Sequence, residues 1–227
     1  MTRGQSEEFP WSHLPAIIGP LSPEGGDRGV QETLRQWRQT FGANTVSFGH
    51  GSVLFERGKQ PTDIWLLVEG IVILFLDLPD ARQIVLDIRL PGQLLYHGFN
   101  IDYPVSARAI GQCVLFRESL HDLHKKRLVN KAAAEFVEQQ AEVDMYNSAI
   151  RILEMKALSP ADRLEHFLKS LEAVHERQVK AGAPPIITWP IGEEDLANFI
   201  GCSVRHLKRI KKQMRQAGRL SSVRNRS

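Results

Sequence analysis

The chain has 227 residues, 42% of them hydrophobic, which is enough for one large or two modest domains with a proper core. Its net charge of +3 is unevenly spread: residues 201–227 hold nine Lys or Arg and no Asp or Glu, so the first 200 residues carry −6. A basic end on a mildly acidic body points to a polyanionic partner, nucleic acid ahead of an anionic membrane surface. The two cysteines, Cys113 and Cys202, stand far apart, which excludes a disulfide framework and a four-Cys zinc or iron–sulfur site. No apolar run follows a basic cluster at the N-terminus, and the longest apolar stretch, Ile71 to Leu76, is too short to cross a bilayer. The expectation is a cytoplasmic protein without a secretory signal or a membrane partner.

Taken in chain order, residues 1–28 are rich in Pro, Gly and Ser and read as a flexible extension. Gln31 to Thr40 has the pattern of a short helix. From Thr45 to Arg117, short apolar runs alternate with turn residues. Val46–Phe48, Ser52–Phe55, Ile64–Val68, Ile71–Phe75, Ile84–Ile88 and Val114–Phe116 read as strands, separated by Gly49, Gly51, Gly58, Pro61, Gly70, Pro79, Pro91, Gly92 and Gly111. Strands this short and this closely spaced predict an antiparallel sandwich or barrel.

From about Asn130 to Leu158 the pattern turns helical. Phe136, Val143, Ile150 and Ala157 fall seven apart, as do Gln139, Tyr146 and Leu153 between them. That alternation describes a coiled-coil seam, so Phe136, Val143, Tyr146, Ile150, Leu153 and Ala157 are the expected dimer interface. The alternative is one amphipathic helix lying on its own core. Ile152 and Met155 add apolar surface for the neighbouring domain. Ser159 and Pro160 then open a helix running to about Gln178. A polar loop and a short strand, Ile186–Trp189, follow.

Residues 193–216 carry the most information. Glu193 to Ile200 has helical periodicity, Gly201 suits a tight turn, and Ser203 is a good N-cap for a second helix. There Val204, Leu207, Ile210 and Met214 form an apolar stripe, while Arg205, His206, Lys208, Arg209, Lys211, Lys212 and Arg215 make the opposite face cationic; Gly218 ends it. This is the pattern of a helix-turn-helix, whose second helix reads the major groove with its first two turns. Arg205 and Arg209, one turn apart, match the two acceptors of guanine. Ser203 suits a phosphate, and Lys211, Lys212 and Arg215 suit phosphates further along. A solvated basic helix face is the alternative.

The order of these elements resembles the Crp/Fnr superfamily of bacterial transcription regulators over roughly residues 45–220. The resemblance rests on Phe55 to Gly58 (Phe-Glu-Arg-Gly), Pro61 to Gly70, Ile84 to Leu86, Pro91-Gly92, Asp195 to Ser203, and Arg209-Ile210. It implies an α+β chain with an N-terminal cupin-like β-roll, a long dimerisation helix and a C-terminal winged helix-turn-helix. On that basis the chain divides into an extension (1–28), a sensory β-roll (29–129), the dimerisation helix (130–158) and the DNA-binding domain (159–227). The implied partners are double-stranded DNA, a second copy of the chain, RNA polymerase and a small-molecule effector. The implied DNA site is a near-palindrome with half-sites about one helical turn apart.

Three departures from the family pattern qualify this. Members that bind cAMP carry a Gly-Glu-Leu stretch and an Arg-Ser pair. Here the effector region holds Gly92, Gln93, Leu94, Tyr96, His97, Tyr103 and Arg108, with Tyr103-Pro104 near the Arg-Ser position. Arg108 is the only nearby cation and more often belongs to the following strand, so a cyclic phosphate there would be uncompensated and the expected signal is something other than cAMP. Arg205 replaces a frequent family glutamate, which predicts a different half-site. The chain also stops shortly after Leu220, leaving room for only a short wing, partly offset by Arg219, Arg224 and Arg226. That shortage motivates a rival reading: an effector- or protein-binding module whose winged helix no longer reads DNA.

No catalytic residues, metal ligands or cofactor are expected. His121 and His124 read as exposed helical histidines. Haem ligation by His97 is the minor alternative to loop packing, by analogy with haem sensors of the family. Cys202, in the helix-turn-helix, reads as a small packing residue, with a redox switch as the alternative.

Overall fold

A computed structural model of the protein describes the backbone of residues 26–80, 82–95, 101–180 and 191–217, and the side chains of all of these except 26–28 and 172–180. Helix α1 (Gly26–Phe41) leads into strands β1 (Thr45–Phe48), β2 (Val53–Phe55), β3 (Asp63–Asp77), β4 (Gln83–Arg89), β5 (Leu94–Leu95) and β6 (Ser106–Ser119). Helices α2 (Leu120–Val129), α3 (Lys131–Ala157), α4 (Pro160–Lys180), α5 (Glu193–Ile200) and α6 (Val204–Gln216) follow. Every strand pairing is antiparallel, in the order β1-β6-β3-β4, with β2 also on β6 and β5 on β3.

The runs Ile64–Val68 and Ile71–Phe75, expected as two strands, are one. Gly70 joins them with φ 93°, and a Cβ there would stand 2.5 Å from the Gln112 carbonyl oxygen and 2.6 Å from the Cys113 sulfur. The register shifts on both sides of Glu69. This bulge reverses which side chains point inward. Before it, Trp65 and Leu67 enter the interior of the roll while Ile64 and Leu66 face α1 and α3. After it, Val72 and Leu74 point inward while Ile71, Ile73 and Phe75 face the C-terminal helices. Both faces of β3 are therefore covered, which is why it reads as nearly unbroken apolar sequence.

The roll interior is filled by Phe55, Trp65, Leu67, Val72, Leu74 and Leu115, among others. A second cluster seals one outer face. Trp37 of α1 is fully buried, and its ring lies 4.8 Å from Phe41, 5.8 Å from Phe136 and 6.4 Å from Phe116. Phe136 is thus a core residue of its own chain. This corrects its assignment to the dimer seam: α1, which starts five residues earlier than expected, covers the first turns of α3. Ala133 and Val137 are buried with it. The rest of the expected seam is open or half-open, with Val143, Tyr146 and Ile150 half-buried and Leu153 and Ala157 exposed.

The third cluster joins the β-sheet to the C-terminal helices. Ile71, Ile73, Phe75, Val85 and Ile88 pack with Leu164, Phe167 and Leu168 of α4, Leu196, Phe199 and Ile200 of α5, and Leu207, Ile210 and Met214 of α6. The expected strand Ile186–Trp189 and the wing beyond Gly218 lie outside the described residues, as do residues 1–25 of the extension.

Candidate nucleic-acid interface

Local sequence explains each part of the C-terminal helix pair. Three carboxylates, Glu193, Glu194 and Asp195, stand in the first turn of α5, where the helix dipole favours negative charge. Gly201 closes α5 in the left-handed conformation (φ 73°, ψ 44°), its N–H donating to the carbonyls of Ala197 and Asn198. A side chain there would also strike the Met155 methyl, 2.6 Å from the position of a Cβ. This contact places Met155 against the neighbouring domain as expected, while Ile152 stays 58% exposed. Ser203 caps α6, its hydroxyl accepting from the His206 N–H at 3.2 Å.

Along α6, Leu207, Ile210 and Met214 are buried and Val204 half-buried. Arg205, Lys208, Arg209, Lys212 and Arg215 are exposed, and His206 and Lys211 are half-buried. Arg205, Arg209 and Lys212 follow one another at one-turn spacing and share a face. On the adjoining flank, Lys208 and Lys211 both reach Glu193 of α5, at 3.1 and 3.8 Å. Burial pushes the Lys211 ammonium down, partly countered by the Glu193 carboxylate.

Two arginines fix the turn of the motif to the helices before it. The buried Arg163 of α4 donates from Nε to the Ile200 carbonyl at 2.8 Å and from its Nη1 to Leu158 at 2.6 Å and Met155 at 3.3 Å. Arg151 of α3 donates to the Phe199 carbonyl and lies over the Phe199 ring, 3.7 Å from its centroid. The carbonyls left without partners at the end of α5 are satisfied in this way.

A third set of contacts ties α5 to the roll. Among the described residues strand β4 pairs only with β3, which leaves one edge of its backbone without a strand partner there. The Asn198 side chain covers that edge: its oxygen accepts from the Val85 N–H at 2.9 Å and its amide donates to the Gln83 carbonyl at 2.5 Å. Beside it, Arg108 donates to Asp195 at 2.5 Å and to the Gln83 side chain, and sits over the Phe75 ring. Gln83, Val85, Arg108, Asp195, Asn198 and Lys208 line a cleft of about 860 Å³ between the β3–β4 turn and α5–α6. At its other end β4 holds α3: buried Arg89 pairs with Asp87 at 3.0 Å and with Asp144 at 2.5 Å. Burial works against the Arg89 charge, and the two carboxylates more than offset it.

The family described as cyclic nucleotide-binding domain matches residues 45–127. The chain is 26% identical over 205 residues to the transcriptional activatory protein AadR of Rhodopseudomonas palustris, covering 86% of this chain and 76% of that protein. It is 22% identical over 186 residues to the nitrogen fixation regulation protein FixK of Bradyrhizobium diazoefficiens, covering 78% and 74%. These likenesses support the resemblance to the Crp/Fnr superfamily, and residues 45–127 match the cyclic nucleotide-binding domain. In fold, the chain superposes on FixK2 from Bradyrhizobium japonicum with a TM-score of 0.64 at 17% identity, over 78% of this chain and 86% of that one. A CRP-family transcriptional regulator from Thermus thermophilus gives 0.56 at 18%, over 76% and 85%.

The expected effector region is packed more tightly than the sequence suggests. Gln93 and Leu94 are buried, and the Gln93 side chain is occupied by the Leu90 N–H at 2.7 Å. Gly92 (φ 87°) lies tight against Val30 of α1. Tyr103 stacks on Phe55 at 4.0 Å, its hydroxyl donates to the Asp63 carbonyl at 3.4 Å, and burial pushes its phenol up. Arg108 points out of the roll, because strand alternation puts Ala107 and Ala109 inside and Arg108 on the face toward α5. These four neighbours therefore pack the chain's own core, and Arg108 serves the domain contact instead of a pocket. Tyr96 and His97 lie outside the described residues. His121 and His124 lie exposed on α2. Cys202 is half-buried against the C-terminal core, and burial pushes its thiol up, which favours the packing reading.

Sequence reasoning missed Asn198, Asp195, Glu193, Arg151 and Arg163. Asn198 meets Gln83 across 115 residues, and no local pattern announces such a partner. The one available signal was a polar residue inside the apolar periodicity of α5.

Proposed function

We propose that the protein is a sequence-specific DNA-binding transcription regulator that acts as a homodimer on a near-palindromic site. The observation that carries this is α6: a capped helix with one face buried in its own domain and Arg205, Arg209 and Lys212 aligned and exposed on the other. Arg205 and Arg209 read guanine edges, the Ser203 end of the helix and Lys212 bind phosphates, and His206 sits at the margin of the reading face. Lys208 and Lys211 serve phosphates from the flank.

The dimer is supported by a stripe of α3 at three- and four-residue spacing, in which Val143, Tyr146 and Ile150 are half-buried and Leu153 is 41% exposed. Two such helices side by side hold the recognition helices at a fixed spacing. A signal other than cAMP, received by the roll, changes that placement through β4, whose two ends hold Asp144 of α3 and Asn198 of α5. RNA polymerase and a small effector are the further partners, and no cofactor is assigned. The cytoplasm is the compartment this reading requires, and among the described residues no helix is long and apolar enough to cross a membrane.

Competition gel shifts on duplexes with single base changes test the reading face. Arg205→Ala and Arg209→Ala each weaken binding by about 1–3 kcal/mol and flatten discrimination at one guanine. Unchanged base preference in both variants would count against the proposal.

A further inference from the structure

The carboxylate of Glu193 has two oxygens and two ammonium partners. Oε2 lies 3.1 Å from Lys208 Nζ and Oε1 lies 3.8 Å from Lys211 Nζ. The two lysines are three residues apart on the flank of α6, next to the reading face. Their two-pronged partner is an anion with separate oxygens, as a DNA phosphate is. Glu193 is the first residue of α5, so the helix itself fixes where its side chain starts. The three carboxylates of that turn are used differently. Asp195 engages Arg108 of the roll, Glu193 engages α6, and the adjacent Glu194 lines the same cleft.

We infer that Glu193 stands in for a DNA phosphate on Lys208 and Lys211, and that DNA must displace it to dock, so that this residue sets the protein's affinity for duplex. The inference rests on the DNA-binding reading above. A helix-turn-helix that takes hold of a phosphate through these lysines first breaks two intramolecular ion pairs. The attraction gained is therefore smaller than two free ammonium groups would give. The Glu193 charge also stays near the bound phosphate and repels it. Both effects are electrostatic and fade as salt screens them.

The test is fluorescence anisotropy of the full chain on a labelled duplex of mixed sequence, because phosphate contacts need no operator. Wild type, Glu193→Gln and Glu194→Gln are compared across a salt series. Both variants change net charge equally, and both keep the side-chain length. Losing the Glu193 charge releases both lysines, so Glu193→Gln should bind about three- to tenfold tighter at low salt. Glu194→Gln should gain clearly less. The gain should shrink as salt rises. Lys208→Gln should cost more affinity in the Glu193→Gln background than in wild type, because only there is the lysine free beforehand. Equal gains from the two glutamate variants, or a Lys208→Gln effect that ignores residue 193, would overturn the inference alone. A folded wild type that binds no duplex at low salt would overturn the DNA-binding reading beneath it.

Discussion

Ser203 shows how much one side chain can do here. Its hydroxyl takes the His206 N–H and fixes where α6 begins, and so where Arg205 and Arg209 stand one turn apart. Ser203→Ala should cost about 1 kcal/mol of stability, measured by urea unfolding, and should fray the end of the helix that would meet DNA. A variant as stable as wild type would show that the cap contributes nothing. At this scale the sequence was largely legible: a Gly turn, a Ser cap and an apolar stripe three and four residues apart are local signals with local causes. Arg108 was not legible in the same way. Sequence proximity put it beside Tyr103 in an effector pocket, whereas the two-residue alternation of β6 turns it outward to Asp195. Parity along a strand, not closeness in the chain, decides which space a side chain enters.

At the scale of elements, the contact between α5 and the edge of β4 is the least expected feature. An open strand edge has backbone groups that need partners, and Asn198 supplies both a donor and an acceptor for one stretch of it. Asn198→Ala should speed hydrogen exchange of the Val85 amide while leaving amides in the β3–β6 ladder protected; exchange unchanged at Val85 would contradict the contact. A second joint links α4 to α3. The Glu154 carboxylate accepts from or pairs with His166 at 3.1 Å and holds its imidazolium above the ordinary histidine value. A raised folded-state pKa makes this joint favourable in acid, below the unfolded value of about 6.5, and its contribution fades as pH rises through the folded value. Denaturant midpoints measured across that range should fall more for wild type than for His166→Gln; parallel profiles would remove the joint from the account. The extent of β3 escaped sequence reading because Gly70 looks like a turn residue, and only the close approach of Cys113 reveals it as a bulge inside a continuous strand.

At the scale of the whole molecule, the long helix divides its work. Its start belongs to the chain's own core and its outer side is open, which the seven-residue spacing alone did not separate. Phe136 and Val143 occupy equivalent places in the repeat, yet α1 covers the first and leaves the second half-open. Two variants distinguish these roles in sedimentation and unfolding experiments. Phe136→Ala should cost about 3–5 kcal/mol of stability by leaving a cavity beside Trp37. Ile150→Glu together with Leu153→Glu should leave the fold intact and give a monomer. A dimer unaffected by the paired glutamates would move the interface elsewhere.

In the proposed regulator, two copies of α6 read DNA together. Selection of binding sites from random-sequence duplexes by the purified full-length protein tests it most directly. The account predicts an enriched inverted repeat with half-site centres about one helical turn apart, each holding guanines whose enrichment disappears in the Arg205→Ala, Arg209→Ala double variant. A folded wild-type protein that enriches no sequence, or enriches the same one without those arginines, would contradict it.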